Sequence, residues 1–364
     1  MWYQTRVTQL MGSFCPILQG PFGGNFSTVK LAATVSNAGG IGGFGCYTLS
    51  PAEIVKINGE LKSATDKPYN LNLWVSNSDV PDSGVSDIQF ERVKELFRPY
   101  FEEAGLAFPE KPVSPPVRFE DQVQVVLDVK PAVFSFVFGI PSADILEQCR
   151  RNGIVTAGGA TTADEAAALE AAGVDAVVAS GFEAGGHRPS FLAAAEESLT
   201  GTFVLLQQIR ERVHIPVIAA GGIGTGKGIA AALALGADGV QVGTAFLACE
   251  ESGALEFHRR LLLSTDDSKR TVLTRAFTGR LGRGLANRVA REVTGKEAAL
   301  LPFPFQTRFV SGLRQAAIKQ ENWEMLLLWG GQIAPVLKYH KASELMAALV
   351  EETDAYFKAC RSTS

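Results

Sequence analysis

The chain reads as an α/β protein, a (β/α)8 TIM barrel with a helical region inserted near its C-terminus. Three observations predict this. Short β-rich apolar runs alternate with segments whose apolar residues recur every three to four positions, the pattern of parallel strands joined by crossover helices. The alternation yields eight strands, the number that closes such a ring. Finally, AAALEAAGVDAVVASG and AAALALGADGVQVGT run in one order, helix, Gly, Asp, β-branched strand, Gly, as a repeated βα unit requires.

The strands are expected near Ile17 to Gln19, Ile41 to Cys46, Tyr69 to Trp74, Ala132 to Phe138, Ile154 to Gly158, Ala176 to Ser180, Pro216 to Ala220 and Gly239 to Gly243. Helices are expected between them at Thr28 to Asn37, Pro51 to Ala64, Ala143 to Asn152, Ala163 to Ala172, Thr202 to Val213 and Gly228 to Leu235. Each ends near a glycine or the next strand, as right-handed crossovers require. Residues 1–250 thus form the barrel, and the stretch from Val80 to Val117, rich in Pro, Ser and charge, is an excursion before a helix around Gln122 to Val129. From about Glu250 to Met325 the strand pattern stops. This polar, Arg-bearing region, with AFTGRLGRGLANRVAREV, reads as a helical lid (251–325) that covers the mouth. Residues 326–364 return to the barrel through a Gly-Gly turn and an amphipathic helix.

Composition excludes several classes. Hydrophobic residues make up 46% and charged residues 20%, so a large core is available and disorder is not indicated. A net charge of −4 provides no basic field for a phosphate backbone, which turns attention from nucleic acid to small molecules. The five cysteines, Cys15, Cys46, Cys149, Cys249 and Cys360, are scattered and never form a C-x-x-C pair, the usage of a reducing, cytoplasmic compartment. No run of 18 apolar residues or secretory leader is read, so no membrane segment is expected; a homodimer stays open.

In such barrels active sites form on loops after the strands, with phosphate after strands seven and eight. After strand seven comes AAGGIGTGKG, where Gly221, Gly222, Gly224 and Gly226 let backbone N–H groups approach an anion. After strand eight comes Gln241-Val242-Gly243-Thr244, whose glycine and hydroxyl complete the cradle. Lys227 either adds charge or is a solvated helix lysine. The loop after strand six, SGFEAGGHRPSF, holds His187, one of four histidines, at a barrel mouth where an imidazole can move protons near neutral pH. Glu183 either orients it or faces solvent, and the second reading is the simpler. Between Pro131 and Glu250 the only lysine is Lys227, so a Schiff-base nucleophile is missing, and the loop after strand six has no cysteine nucleophile. No His, Asp or Glu ligands cluster at strand ends, so no metal site is expected. An organic cofactor is left to carry the electron chemistry. A barrel that only binds a phosphorylated ligand, without catalysis, is the alternative.

EAGGH, AAGGI, QVGTAFLA, the opening PILQGPFGG with LAATVSNAGGIGG, and LWGGQ near the end together resemble the nitronate monooxygenases, formerly called 2-nitropropane dioxygenases. The resemblance runs over roughly residues 15 to 250. It implies FMN as cofactor and the loop histidine, here His187, as catalytic base. It also implies flavin contacts at Asn72, Gly185, Gly222 and Gln241 through Thr244, with Gly20, Pro21 and Phe22 running past the ring system. Ser180 stands where the family motif Q-G-x-E-A-G-G-H has glutamine, and Phe22 where methionine is frequent. The implied reaction oxidises alkyl nitronates with O2 to carbonyl compounds and nitrite. The loop is also similar to that of flavin-dependent enoyl-acyl-carrier-protein reductases and quinone reductases, which use NAD(P)H. Arg275, Arg280, Arg283, Arg288 and Arg291 of the lid are read as packed or solvated.

Overall fold

The computed structural model describes residues 1–75, 84–112, 118–264 and 270–362. Eight parallel strands lie where the sequence places them: β1 (Ile17–Gln19), β2 (Gly42–Gly45), β3 (Tyr69–Trp74), β4 (Val133–Val137), β5 (Val155–Ala160), β6 (Ala176–Ser180), β7 (Val217–Ala220) and β8 (Gly239–Val242). β8 pairs with β1, and a single parallel bridge, Leu18 to Ile41, joins β1 to the start of β2 and closes the ring. That seam is narrow because β2 is pressed from both sides. A Cβ on Gly42 would lie 2.0 Å from the Ala32 carbonyl oxygen, and one on Gly43 2.5 Å from that of Gln19. The Gln19 side chain supplies hydrogen bonds the short ladder lacks, donating to Gly43 O at 2.8 Å and accepting from Gly43 N at 3.0 Å.

Leu18, Ile41, Val133, Ala157, Ala176, Val178, Ile218 and Ala220 form one buried cluster with Val7 and Met11 of the N-terminal helix Arg6–Met11, which packs against these strand residues. The crossover helices start at polar caps. Pro51–Ala64 follows a Ser50/Glu53 capping box with proline at its first turn. At four others the hydroxyl of Thr28, Ser142, Thr162 or Thr225 accepts from a backbone N–H of the first turn.

Two segments differ from expectation. Within the excursion, residues 80–83 and 113–117 lie outside the described residues, but between them Asp87–Glu103 is a 17-residue helix that the Pro, Ser and charge content concealed. Some of its charges pair along its own face, Lys94 with Glu91 and Arg98 with Glu95, while Asp87 and Glu103 pair with Lys111 and Arg288 elsewhere. Its buried face, Phe97 and Phe101, packs on Phe309 from beyond the barrel.

The region after β8 is not all helical. Thr271–Thr274 and Gly282–Leu285 form an antiparallel pair, and Gly186–His187 of the loop after β6 adds a third strand. Only Arg288–Val293 of the tract AFTGRLGRGLANRVAREV is helical. The glycines at 279, 282 and 284 weaken a helix, and the backbone partner that favours a strand is almost a hundred residues upstream, so helical periodicity misleads here. Helices Glu256–Leu262, Phe305–Phe309 and Ser311–Lys319 complete the described part of this region. The last helix, Ala342–Ser362, packs along Gly226–Ala234. Among the described residues no helix is long and apolar enough to cross a membrane, and no group of three or more His, Cys, Asp or Glu could hold a metal.

Candidate active site at the carboxyl ends of the strands

The loops that leave the carboxyl ends of the strands enclose a cavity of about 640 Å³. One wall is mainly backbone. Gly221 and Gly222, at φ 106° and 70°, turn the chain after β7 in a conformation that L side chains rarely adopt. Gly185 is pressed against the Gly330-Gly331 turn, where a Cβ would fall 2.6 Å from Gly331 N. The Thr244 hydroxyl accepts from Gly331 N at 2.9 Å, which leaves its own proton for a ligand. A Cβ on Gly243 would meet nothing closer than Phe22 at 4.0 Å, so room is open there.

The cradle is shorter than the sequence suggested. Gly224 and Gly226 face the C-terminal segment instead. A Cβ on Gly226 would lie 2.3 Å from that of Glu352, and Gly226 N donates to the Glu352 carboxylate at 2.8 Å. These glycines permit close helix packing, and Lys227 is exposed. Val242 also departs from its expected place: it is fully buried in the core, as strand alternation requires once Gln241 faces the cavity, and its carbonyl accepts from Gly20 N at 2.9 Å. Gly20, Pro21, Phe22, Asn72, Ser180, Gly185, Gly222, Gln241, Gly243, Thr244 and His187 all line the cavity. Asn72 is held by a 2.9 Å bond from its Nδ2 to Ser135 Oγ.

Glu183 neither orients His187 nor stands free in solvent. Its carboxylate accepts from Thr202 N and Thr202 Oγ1 at 2.9 and 2.8 Å, at the start of helix Thr202–Arg210. Two buried arginines hold the same loop. Arg188 donates to the Gly181 and Ser198 carbonyls at 2.6 and 2.8 Å, and Arg283 donates to Phe182 O at 3.1 Å while covering the Phe182 ring. Of the other four arginines read as packed or solvated, Arg275, Arg288 and Arg291 pair with Glu196, Glu103 and Glu324. Arg280 stacks 3.8 Å over Phe138, and burial pulls its pKa down to about 10. None of the five lines the cavity.

His187 stands among rings. Trp329, Trp74 and Phe303 lie 4.7, 5.3 and 6.1 Å from it between centroids, each edge-on, and Tyr47 stacks on Trp74 at 3.9 Å. Its surface is partly open to the cavity while protein crowds the ring, and this desolvation pushes its pKa down to about 3. The imidazole is therefore neutral over the ordinary pH range. The ring's one hydrogen bond among the described residues joins Nε2 to Thr278 Oγ1 at 2.9 Å.

A family model described as nitronate monooxygenase matches residues 4–352. A probable nitronate monooxygenase of Staphylococcus haemolyticus is 36% identical over 354 residues, spanning 97% of this chain and 98% of that protein. The chain belongs to the nitronate monooxygenase family. Among solved structures, a nitroalkane oxidase from Streptomyces ansochromogenes matches with a TM-score of 0.88 at 36% identity, over 97% of this chain and 99% of that one. FabK from Thermotoga maritima matches at 0.76 and 29% identity, over 99% of both chains.

For this nitronate monooxygenase family member, sequence reasoning missed most of the wall around His187. Trp74 had a usable signal, since it ends β3 on the side where sites form. Tyr47 and Phe138 had the same signal at the ends of the second and fourth strands, and Trp329 lies in LWGGQ, whereas Thr278 and Phe303 had none, because they reach the cavity from the region beyond β8.

Proposed function

We propose that this chain is an FMN-dependent nitronate monooxygenase, converting alkyl nitronates and O2 to carbonyl compounds and nitrite. The observation that carries the reading is a histidine on the wall of a cavity that is also lined by the glycines after β7 and β8. The residues fit the cofactor. Backbone N–H groups at Gly222 and Gly243 and the Thr244 hydroxyl would hold its phosphate, in a place where a Cβ on Gly222 would project toward Glu183. Gly20 to Phe22, Asn72, Ser180, Gly185 and Gln241 would line its ring system. Bound FMN supplies electron transfer between the nitronate and O2.

The chain's own residues handle the proton and the solvent. A nitroalkane offered in neutral form must lose its α-proton, and His187 is the titratable ring on the cavity wall that can accept it. Burial makes the imidazolium costly by itself. The transfer, however, creates an anion beside it, and the opposite charge offsets that cost. Trp74, Phe303 and Trp329 line the cavity beside His187 with apolar ring surface, which would disfavour water at the site of transfer.

The test is anaerobic mixing of the purified protein, whose flavin absorbs near ~450 nm, with a nitronate and separately with NADH. Rapid bleaching by nitronate and slow bleaching by NADH supports the reading. Bleaching by NADH alone establishes a reductase instead, and protein without a flavin spectrum points to a barrel that only binds its ligand.

A further inference from the structure

The hydroxyl of Thr278 is placed between three polar groups. It lies 2.9 Å from His187 Nε2 and 3.1 Å from the Arg280 carbonyl oxygen, and it accepts from Arg280 N at 3.3 Å. A threonine hydroxyl has one proton to give and two lone pairs with which to accept. If the proton goes to the Arg280 carbonyl, both lone pairs receive N–H groups, one from Arg280 and one from Nε2 of His187. All three contacts are then matched donor to acceptor. If the proton goes to Nε2, the Arg280 carbonyl contact loses its hydrogen and the imidazole must carry its own proton on Nδ1.

We propose that Thr278 is a positioning residue that fixes His187 as the Nε2–H tautomer, so that Nδ1 is the nitrogen that takes the substrate proton. The proposal rests on the reading of His187 as the acid–base group and deepens it. Among the described residues Nδ1 has no hydrogen-bond partner, and with Nε2 held by Thr278 it is the ring nitrogen left to a ligand in the cavity that His187 lines. The backbone around the pair is held as well. Gly282 is registered opposite His187, and Arg188 N donates to Leu281 O at 2.9 Å. Thr278 is itself tied to that strand through Arg280. The region beyond β8 thus sets both the direction of the ring and the side of it that bears the proton, the task that a buried partner performs for the histidine of a hydrolytic triad.

The direct measurement is ¹⁵N NMR of the flavin-bearing protein labelled at histidine, with the His187→Gln variant assigning the ring. The expected result is a proton on Nε2 and a bare Nδ1. Thr278→Val, which keeps the shape and removes the hydroxyl, should keep its flavin spectrum while kcat/KM on a neutral nitroalkane falls by about 10- to 100-fold, less than the ~10²- to 10⁴-fold for a base removed outright. With preformed nitronate the fall should be several-fold smaller, and Thr278→Ser should recover most of the activity. A ring proton on Nδ1 overturns the proposal whatever the kinetics. Wild-type turnover by the valine variant, or equal losses on both substrate forms, also overturns it. Should the protein turn over neither form, the functional reading falls, while the labelled ring still decides the tautomer.

Discussion

The glycine wall of the cavity and the aromatic wall around His187 differ in what they are made of and in how far along the chain their parts lie. Gly221, Gly222 and Gly243 are turns that follow directly on β7 and β8, and they act through backbone. The aromatic wall gathers side chains from the ends of β3 and β4, from the loop after β6 and from the region beyond β8, with 91 residues separating His187 from Thr278. The first wall presents N–H groups whatever side chains surround it. The second depends on rotamers and on a desolvated ring, so single side-chain changes should strike chemistry there and binding at the glycines.

The largest effect that would sharpen this contrast belongs to His187→Ala. Turnover of a neutral nitroalkane should fall ~10²- to 10⁴-fold with flavin content unchanged, and the deficit should shrink on preformed nitronate. Loss of flavin in this variant, measured by its visible spectrum, would show the two walls are one unit.

At the glycine wall, Gly222→Leu forces a side chain into a left-handed position at φ 70° and toward Glu183. The folded variant should be purified with little flavin, and titrated FMN should bind at least ~10-fold more weakly. Gly226→Ala provides the contrast four residues on. Its methyl would meet Glu352 and Thr353, costing about 1–3 kcal/mol of stability, yet the folded fraction should bind FMN normally. Weakened binding here would extend the cradle back to the whole glycine run.

Acid should act on the aromatic wall. His258, fully buried, shares a 2.8 Å hydrogen bond with Trp329 O, and burial lowers its pKa to about 4. A folded pKa below the unfolded value near 6.5 means that the unfolded chain binds the proton first. The contribution is therefore present above pH 6.5 and is lost as pH falls toward 4, on the order of 3 kcal/mol in full. Urea unfolding at pH 7 and 5 should show the decline, and His258→Gln should flatten it. An unchanged slope would mean that His258 does not titrate with unfolding. The smallest expected effect concerns His187, neutral above about pH 3: kcat/KM on preformed nitronate should vary less than ~3-fold between pH 5.5 and 8. An inflection near 6.5 that His187→Ala abolishes would place the ring in water.

By itself the sequence determined the eight-stranded barrel and most of the glycine wall, because alternation and turn glycines are local and repeat with each βα unit. Gly222 just past a strand end is informative without knowing any partner. Where a residue's role depends on what packs against it, sequence could not discriminate. Gly222 and Gly226 belong to one glycine-rich run, but only the structure shows a cavity beside the first and Glu352 against the second. Glu183 became a helix cap because Thr202 folds onto it, and the tract Gly282–Leu285 became a strand because Gly186 and His187 supply its ladder. The tertiary structure decided these, since an unpaired strand edge, a helix start or an imidazole takes its state from whichever group completes its hydrogen bonds, and here that group is remote in the chain.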